Sequence, residues 1–398
     1  MHVLFVAPYP PTALRTRSRN LIKQIARHGH RVTAVVLSVG RSEPGTTDRA
    51  SRDSFELVTV NQPAVSAYLS SAGALVRNQS LEVAYCSSPM WRRAVQEFVA
   101  SGNVDLVHFE HIRSTSIGAD FPLPTVWDAV DCRTTVWTRA RDLGHGVRRL
   151  IGAVEAPRVR RQEKEAMALY DEVLVSSVAD REALMEISPG VMPTVLRNGV
   201  DADYFAAVPP RPARGTIVLT GAMSYQPNAE AAVEFCRDVL PLVRGRRRDA
   251  HLDIVGSSPG RSVRALAAPD VAVTGFVEDL RPYLSRAQVA VCPTRLGAGS
   301  QYKVLEAMAA GVPVVATRAA AKAHELKDGV HLIAADDASE TAEAVLEIIG
   351  NAALAGRLRE AGLTEIRTRF TWDVVGNELD RIHALLVAAV KGRAGPVR

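Results

Sequence analysis

Cysteine is scarce in this chain, with four in 398 residues, at positions 86, 132, 236 and 292. Their scatter forms no Cys-x-x-Cys pair and no cysteine–histidine cluster. That excludes a zinc ribbon or a disulfide framework and points to a reducing compartment. Aromatic residues reach only 5%, too few for a nucleic-acid surface, which interleaves stacking rings with a dense basic stripe. Charge of one sign is also lacking: the net excess is +5 and the pI about 9.1, which suits anionic substrates or a membrane surface. No apolar run approaches the length needed to cross a bilayer. The chain begins on strand-like His2-Val-Leu-Phe-Val-Ala7 rather than on a basic leader. The expected location is cytoplasmic.

What is present is ordinary globular material, 47% apolar and 23% charged, long enough for two domains with proper cores. Val3 to Ala7 reads as a buried parallel strand. A proline loop then carries Arg15, Arg17 and Arg19, and a helix over 18–28 turns Leu21, Ile22, Ile25 and Ala26 inward. Gly29 ends it and Val32 to Leu37 gives the next strand, so the first domain is expected to be doubly wound. The strand VDLVHFEHI (104–112) ends at His108, Glu110 and His111, and TVWDAVD (125–131) ends at Asp128 and Asp131. Open α/β sheets place ligands at such strand ends, although polar strand ends are often no more than capped loops. The stretch 139–164 is the most basic, with some apolar character at Leu150, Ile151 and Val154. It reads either as a solvated helix or as a peripheral membrane contact. A segment rich in proline and arginine over 208–215 reads as a linker and places the domain boundary near 208.

The most informative stretch runs from Val291 to Thr317: VCPTRLGAGSQYKVLEAMAAGVPVVAT. It reads as strand end, glycine loop at Gly297 and Gly299, helix over 301–310 with Ser300 as N-cap, then turn and strand. Val304, Leu305, Met308 and Ala309 share one helix face, Lys303 and Glu306 the other. Arg295, Lys303 and the positive helix end surround a spot suited to a diphosphate, and Glu306 is placed to accept from sugar hydroxyls.

Leu305 to Thr317 resembles the donor-site signature of retaining glycosyltransferases of the GT-B fold, the large family 4-like group that includes sucrose synthases and bacterial mannosyltransferases. The form R-x-G-x-G-x-x-x-K-x-L-E, from Arg295 to Glu306, is similar to a sub-branch tied to exopolysaccharide and secondary-metabolite clusters. Two more strings resemble the family: Leu196-Arg197-Asn198-Gly199-Val200-Asp201, and G-x-M-x-Y-x-P-N from Gly221 to Asn228. Departures exist. Ala298 stands where many members carry a first glutamate, the loop after the first strand has no glycine, and Ala222 stands where a basic residue often follows Gly221.

The resemblance implies an α/β protein of two facing Rossmann-like domains with a cleft between them. These are an acceptor domain over 1–207, a donor domain over 208–370, a helix over 371–390 crossing back to the first domain, and a tail over 391–398. The implied reaction moves a sugar from a nucleoside-diphosphate sugar to a glycan, lipid-linked or small-molecule acceptor, without a metal ion or other cofactor. Arg295 and Lys303 are the implied leaving-group cations, with Glu110 at the position of a family histidine. Glu306, Gly297, Gly299, Ser300, Leu305, Gly221, Met223 and Val277 are the implied donor contacts, and His111, His108, Asp128 and Arg15 the acceptor-side candidates. The protein would be cytoplasmic or peripheral at the inner membrane face through 139–164. An NAD(P) enzyme fits less well, because Tyr302 occupies the third-glycine position and Thr317-Arg318 lacks the acidic residue. A nucleotide-sugar epimerase and a non-catalytic partner of the same fold remain as alternatives.

Overall fold

The computed structural model describes residues 1–12, 15–40, 55–294 and 301–393. The chain forms two compact units, one of Met1–Arg197 with Trp372–Arg398 and one of Asn198–Thr371.

The first unit holds a seven-stranded parallel sheet: β1 (His2–Ala7), β2 (Arg31–Val39), β3 (Glu56–Gln62), β4 (Leu106–Glu110), β5 (Thr125–Val130), β6 (Glu172–Val175) and β7 (Thr194–Val195), in the order β3-β2-β1-β4-β5-β6-β7. β1 is buried at every position, as near-continuous apolar strands are when helices cover both sheet faces. Helix α1 (Thr16–Arg27) follows β1, and α2 (Ala64–Val76) and α3 (Leu81–Tyr85) follow β3. Helices α4 (Arg133–Leu143) and α5 (Gly146–Leu169) form a hairpin after β5. Gly152 permits their contact, since a Cβ there would lie 2.5 Å from Arg141 N. Phe109, Trp91 and Trp127 anchor the core beneath, each fully buried aromatic contributing about 1.5–3 kcal/mol or more of transfer free energy.

The second unit repeats the plan with six parallel strands: β8 (Thr216–Thr220), β9 (His251–Val255), β10 (Val271–Gly275), β11 (Val289–Cys292), β12 (Val314–Ala316) and β13 (Ile333–Ala334), in the order β10-β9-β8-β11-β12-β13. Helix α6 (Gln226–Glu234) follows β8, and α7 (Tyr302–Ala309) links β11 to β12. The last helix, α8 (Trp372–Arg393), belongs to the first unit. It lies on α1, where Gln24 Nε2 donates to Asp373 Oδ1 at 3.0 Å and His28 Nε2 meets Asn377 Oδ1 at 2.9 Å. Gly376 makes this close approach possible, because a Cβ there would fall 2.8 Å from Gln24 Cβ.

Three expectations need correction. The units divide at Arg197/Asn198, upstream of the 208–215 segment: Val200 N donates to Phe370 O at 2.6 Å and Phe205 is buried in the second unit's core, so 198–207 fold with that unit. The expected tail from 391 is helical as far as Arg393, and 394–398 lie outside the described residues. Helix α7 starts at Tyr302 with Gln301 at its cap position; Ser300, the expected cap, lies outside the described residues.

Candidate functional site

In each sheet the chain adds strands to one side and then to the other, so each has a point where its order reverses. In the second unit this point lies between β8 and β11, and ligands of open α/β sheets bind outside the carboxyl ends of such a pair. Gly221 follows β8 and Thr294 lies just past β11. Gly221 has φ +142°, and a Cβ on it would meet Asn228 Nδ2 at 2.6 Å, so only glycine lets Asn228 sit against the strand end. Asn228 Nδ2 donates to Ala222 O at 3.1 Å, which turns its Oδ1 toward Lys303. From the first turn of α7, Lys303 Nζ donates to Asn228 Oδ1 at 2.7 Å and to Thr294 Oγ1 at 2.6 Å.

These partners are neutral, so the ammonium is positioned without being neutralised. Burial pulls the Lys303 pKa below its usual value. Burial likewise pushes Glu306 up to about 7, against the opposing pull of Lys303. A cation and a carboxyl of this kind, side by side at a switch point, are what a ligand combining an anion with hydroxyls needs. Of the other residues expected here, Val277 is half-buried beside Phe276, which is 74% exposed. Leu305 is fully buried and Met223 2% exposed. Their side chains pack in the cores under the site. Arg295, Gly297 and Gly299 lie, with Ser300, outside the described residues.

The first unit's order reverses between β1 and β4. Glu110 ends β4 with 1% exposure, beside Ser18 of α1. Burial, reinforced by the charge of Asp128, pushes its pKa up to about 7. His111 follows with φ +67°, its N donating to Asp128 O at 2.7 Å and its ring accepting from Arg113 N. Burial drives its pKa down to about 3, so the imidazole is neutral. Arg15 lies over the Tyr9 ring at 4.1 Å.

Two acceptor-side candidates do not reach a ligand surface. Asp128 is fully buried and gripped by Arg17, with Nε to Oδ2 at 2.8 Å and Nη2 to Oδ1 at 3.0 Å. Burial alone raises a carboxyl, but the guanidinium outweighs it and holds Asp128 at about 2. His108, also fully buried, stacks on Phe5 at 4.7 Å and meets His383 Nε2 from α8 at 3.1 Å. Both side chains point into the sheet's packing layer, the common fate of alternate residues on a central strand.

Sequence reasoning missed most of a polar network beside His111. Arg133, the first residue of α4, forks onto Glu82 of α3 with Nε to Oε1 and Nη2 to Oε2 both at 2.9 Å. Arg113 Nη2 lies 3.7 Å from Glu82, and Arg133 Nη1 lies 3.6 Å from Asp131. Asp131 and Arg133 are near neighbours in sequence, but only the fold brings Glu82 and Arg113 to them. Asn228 was within reach, as the last residue of G-x-M-x-Y-x-P-N. Among the described residues no group of three or more His, Cys, Asp or Glu side chains is placed to hold a metal ion.

Comparison with known proteins adds to this geometry. Residues 214–351 match the family model "Glycosyl transferases group 1". The phosphatidyl-myo-inositol mannosyltransferase of Mycobacterium leprae is 32% identical over 47% of this chain, a match spanning 52%, about half, of that relative's length. That of Mycobacterium tuberculosis (strain H37Rv) is 26% identical over 74% of this chain and 77% of its own. Among solved structures, a sucrose-phosphate synthase from Thermosynechococcus elongatus superposes with a TM-score of 0.75 at 17% identity, covering 98% of this chain and all of the other. A protein of Anabaena in complex with UDP and glucose has a TM-score of 0.64 at 14% identity, covering 97% and 100%.

Proposed function

We propose that this chain, a glycosyltransferase of the GT-B fold with a group 1 donor domain, moves a hexose from a nucleoside-diphosphate sugar to an acceptor hydroxyl, with retention and without a metal ion. The observation that carries the reading is Lys303, a cation fixed by Asn228 and Thr294 at the second switch point. A departing nucleoside diphosphate gains negative charge as the glycosidic bond breaks, and a preorganised cation stabilises that charge with no reorganisation at the moment of reaction. Arg295 is the second proposed cation, on the strength of the sequence signature alone. Glu306 is proposed to accept from hydroxyls of the donor.

Retention is supported by the family signature from Leu305 to Thr317. Same-face attack, in which the leaving phosphate takes the acceptor's proton, requires no enzymic nucleophile. The thiol nearest Lys303, Cys292, is buried and pushed up to about 12, which leaves it unreactive.

A lipid-linked acceptor is supported by the names of the mannosyltransferase relatives and by the surface of the first unit. Helix α5 exposes Val147, Leu150, Ile151 and Val154 among Arg148 and Arg149. Helix α2 exposes Val65, Tyr68, Leu69, Leu75 and Val76. Arg158 joins the two faces, donating to Leu75 O at 3.3 Å and Asn78 Oδ1 at 3.1 Å. An apolar face among arginines suits peripheral contact with an anionic membrane surface, and no helix among the described residues is long and apolar enough to cross one.

The test is incubation of the protein with a panel of nucleoside-diphosphate hexoses, with and without acceptor extracts, in EDTA. Product formation that depends on acceptor and survives chelation is expected. Turnover that needs no acceptor and converts one nucleotide sugar to another would mean an epimerase, and rescue of a chelated enzyme by Mg²⁺ or Mn²⁺ would remove the metal-free mechanism.

A further inference from the structure

Lys303 is carried by a helix start that is itself tied down at both of its polar ends. Gln301 opens α7, its carbonyl accepting from Val304 N at 3.1 Å. Its side chain turns back to the residue just past β11, where Nε2 donates to Thr294 O at 3.2 Å. Thr294 therefore carries two bonds, one on its carbonyl from Gln301 and one on its hydroxyl from Lys303 at 2.6 Å. A shift of Gln301 moves the backbone that bears Lys303 and the hydroxyl that receives its ammonium.

A side chain from farther along the second unit meets this start. His324 Nε2 lies 3.3 Å from Gln301 O, and because a carbonyl oxygen only accepts, Nε2 carries the proton. Thr317 Oγ1 accepts from Ala320 N at 3.2 Å to begin the helix Arg318–Ala323, and His324 caps its other end. There Glu325 N donates to Lys322 O at 3.0 Å and Leu326 N to Ala321 O at 2.9 Å. That pair of bonds calls for a left-handed residue after the cap, ordinarily glycine. Here it is Glu325, with φ +55°. Glycine would relieve the backbone but lose the carboxylate, which accepts from Arg369 Nη2 at 2.9 Å. The next residue, Phe370, is fully buried and crosses the His324 ring at 79°, with centroids 5.8 Å apart.

The imidazole is thus held from its own helix end and from the 369–370 segment, with 2% exposure. Packing alone does not require it, since an apolar ring would fill the same space without the desolvation of an N–H. Nor does Gln301 O require it, because that oxygen already accepts from Val304. What the second bond adds is a fixed point for the first turn of α7.

We propose, resting on the donor reading of Lys303, that Gln301 and His324 are positioning residues of the donor site. Together they hold the start of α7 so that Lys303 and Thr294 keep one geometry before a nucleoside diphosphate arrives. A cation ordered in advance spends none of its binding energy on being ordered.

The experiment titrates UDP and GDP into the full chain by calorimetry and records the thermal midpoint of each variant. His324→Phe keeps a ring against Phe370 and removes the donor, and it should weaken the nucleotide that binds by about three- to tenfold, the value of one neutral hydrogen bond. His324→Gln, which places an amide donor near the position of Nε2, should recover most of that loss. Gln301→Met, similar in length, should cost about as much as His324→Phe. In a Lys303→Ala background neither change should cost anything further, because no ammonium remains to be positioned. A general loss of stability would not produce that non-additivity. Native affinity in both His324→Phe and Gln301→Met overturns the proposal, as does a loss that is equally large with and without Lys303. Should His324→Phe fail to fold, the cycle of Gln301→Met with Lys303→Ala decides by the same outcomes. Native affinity in Lys303→Ala would strike the donor reading and this inference with it, whereas a loss there with native affinity in both positioning variants strikes this inference alone.

Discussion

Lys303 Nζ donates to Thr294 Oγ1 at 2.6 Å, joining the first turn of α7 to the segment just past strand β11. The contact holds a positive charge on neutral oxygens at the reversal point of the second sheet. Its consequences are measurable.

The pKa of Glu306 gives donor binding a pH dependence. Burial raises this carboxyl to about 7 from the usual 4.5, so the stability tied to it is full below 4.5 and is lost as pH rises through 7. Donor hydroxyls that donate to the carboxylate favour the ionised form. Nucleotide affinity should therefore rise between pH 6 and 8, with a proton released on binding. Calorimetry in two buffers of different ionisation enthalpy reads that proton. Glu306→Gln should abolish the dependence and weaken binding about tenfold or more, the value of a hydrogen bond to a charged group; an unchanged profile removes Glu306 from the site.

Gly221→Ala tests how Lys303 is held. The new Cβ displaces the Asn228 amide that it would meet at 2.6 Å, on a residue with φ +142°. Backbone strain of about 1–3 kcal/mol is expected, together with loss of nucleotide affinity. Asn228→Ala should lose the same affinity with a smaller change in thermal midpoint. Full affinity in Asn228→Ala would show that this clasp is not needed for donor binding.

Most strands of the two sheets follow from apolar runs punctuated by glycine and proline, such as β1 with Gly29 and β11 with Gly311, and these are local signals; the strand orders and their reversal points come from long-range pairing. Lys303 and Glu306 were legible from local signals as well, since they sit on one face of a short amphipathic helix after a glycine loop. The Glu82–Arg133–Asp131 network was not, because Glu82 lies some fifty residues before Asp131 and Arg133 in the chain and each alone looks like a solvated charge. Asp128 and His108 misled in the opposite direction. A polar residue at a strand end reads as a ligand contact, and the sequence does not reveal that Arg17 and His383 cover them.

Arg17→Met should destabilise the first unit, because it leaves Asp128 buried without its guanidinium. The expected loss is about 3–5 kcal/mol at neutral pH. In the native protein Asp128 is held at about 2, so its contribution is present above the usual 3.8 and lost as pH falls through 2. In the variant the lone carboxyl protonates easily, so the gap between the two proteins should narrow toward pH 4. Urea unfolding at pH 7 and pH 4 measures both, and equal gaps at the two values would contradict the pairing.

Membrane contact through α2 and α5 predicts sedimentation with vesicles rich in anionic lipid, weaker at high salt. Leu69→Glu combined with Leu150→Glu should abolish it while nucleotide binding stays intact. Retained sedimentation in the double variant would place the contact elsewhere.

The most direct test of the central claim is kcat and urea stability for Lys303→Ala. A cation that stabilises the leaving diphosphate acts more strongly on the transition state than on the bound donor, so its removal should cut kcat by about two orders of magnitude rather than only raise KM. Unfolding free energy should fall only modestly, as Asn228 and Thr294 exchange one partner for water. Normal kcat with normal stability would contradict the account, because Lys303 would then be a solvated lysine on a surface helix.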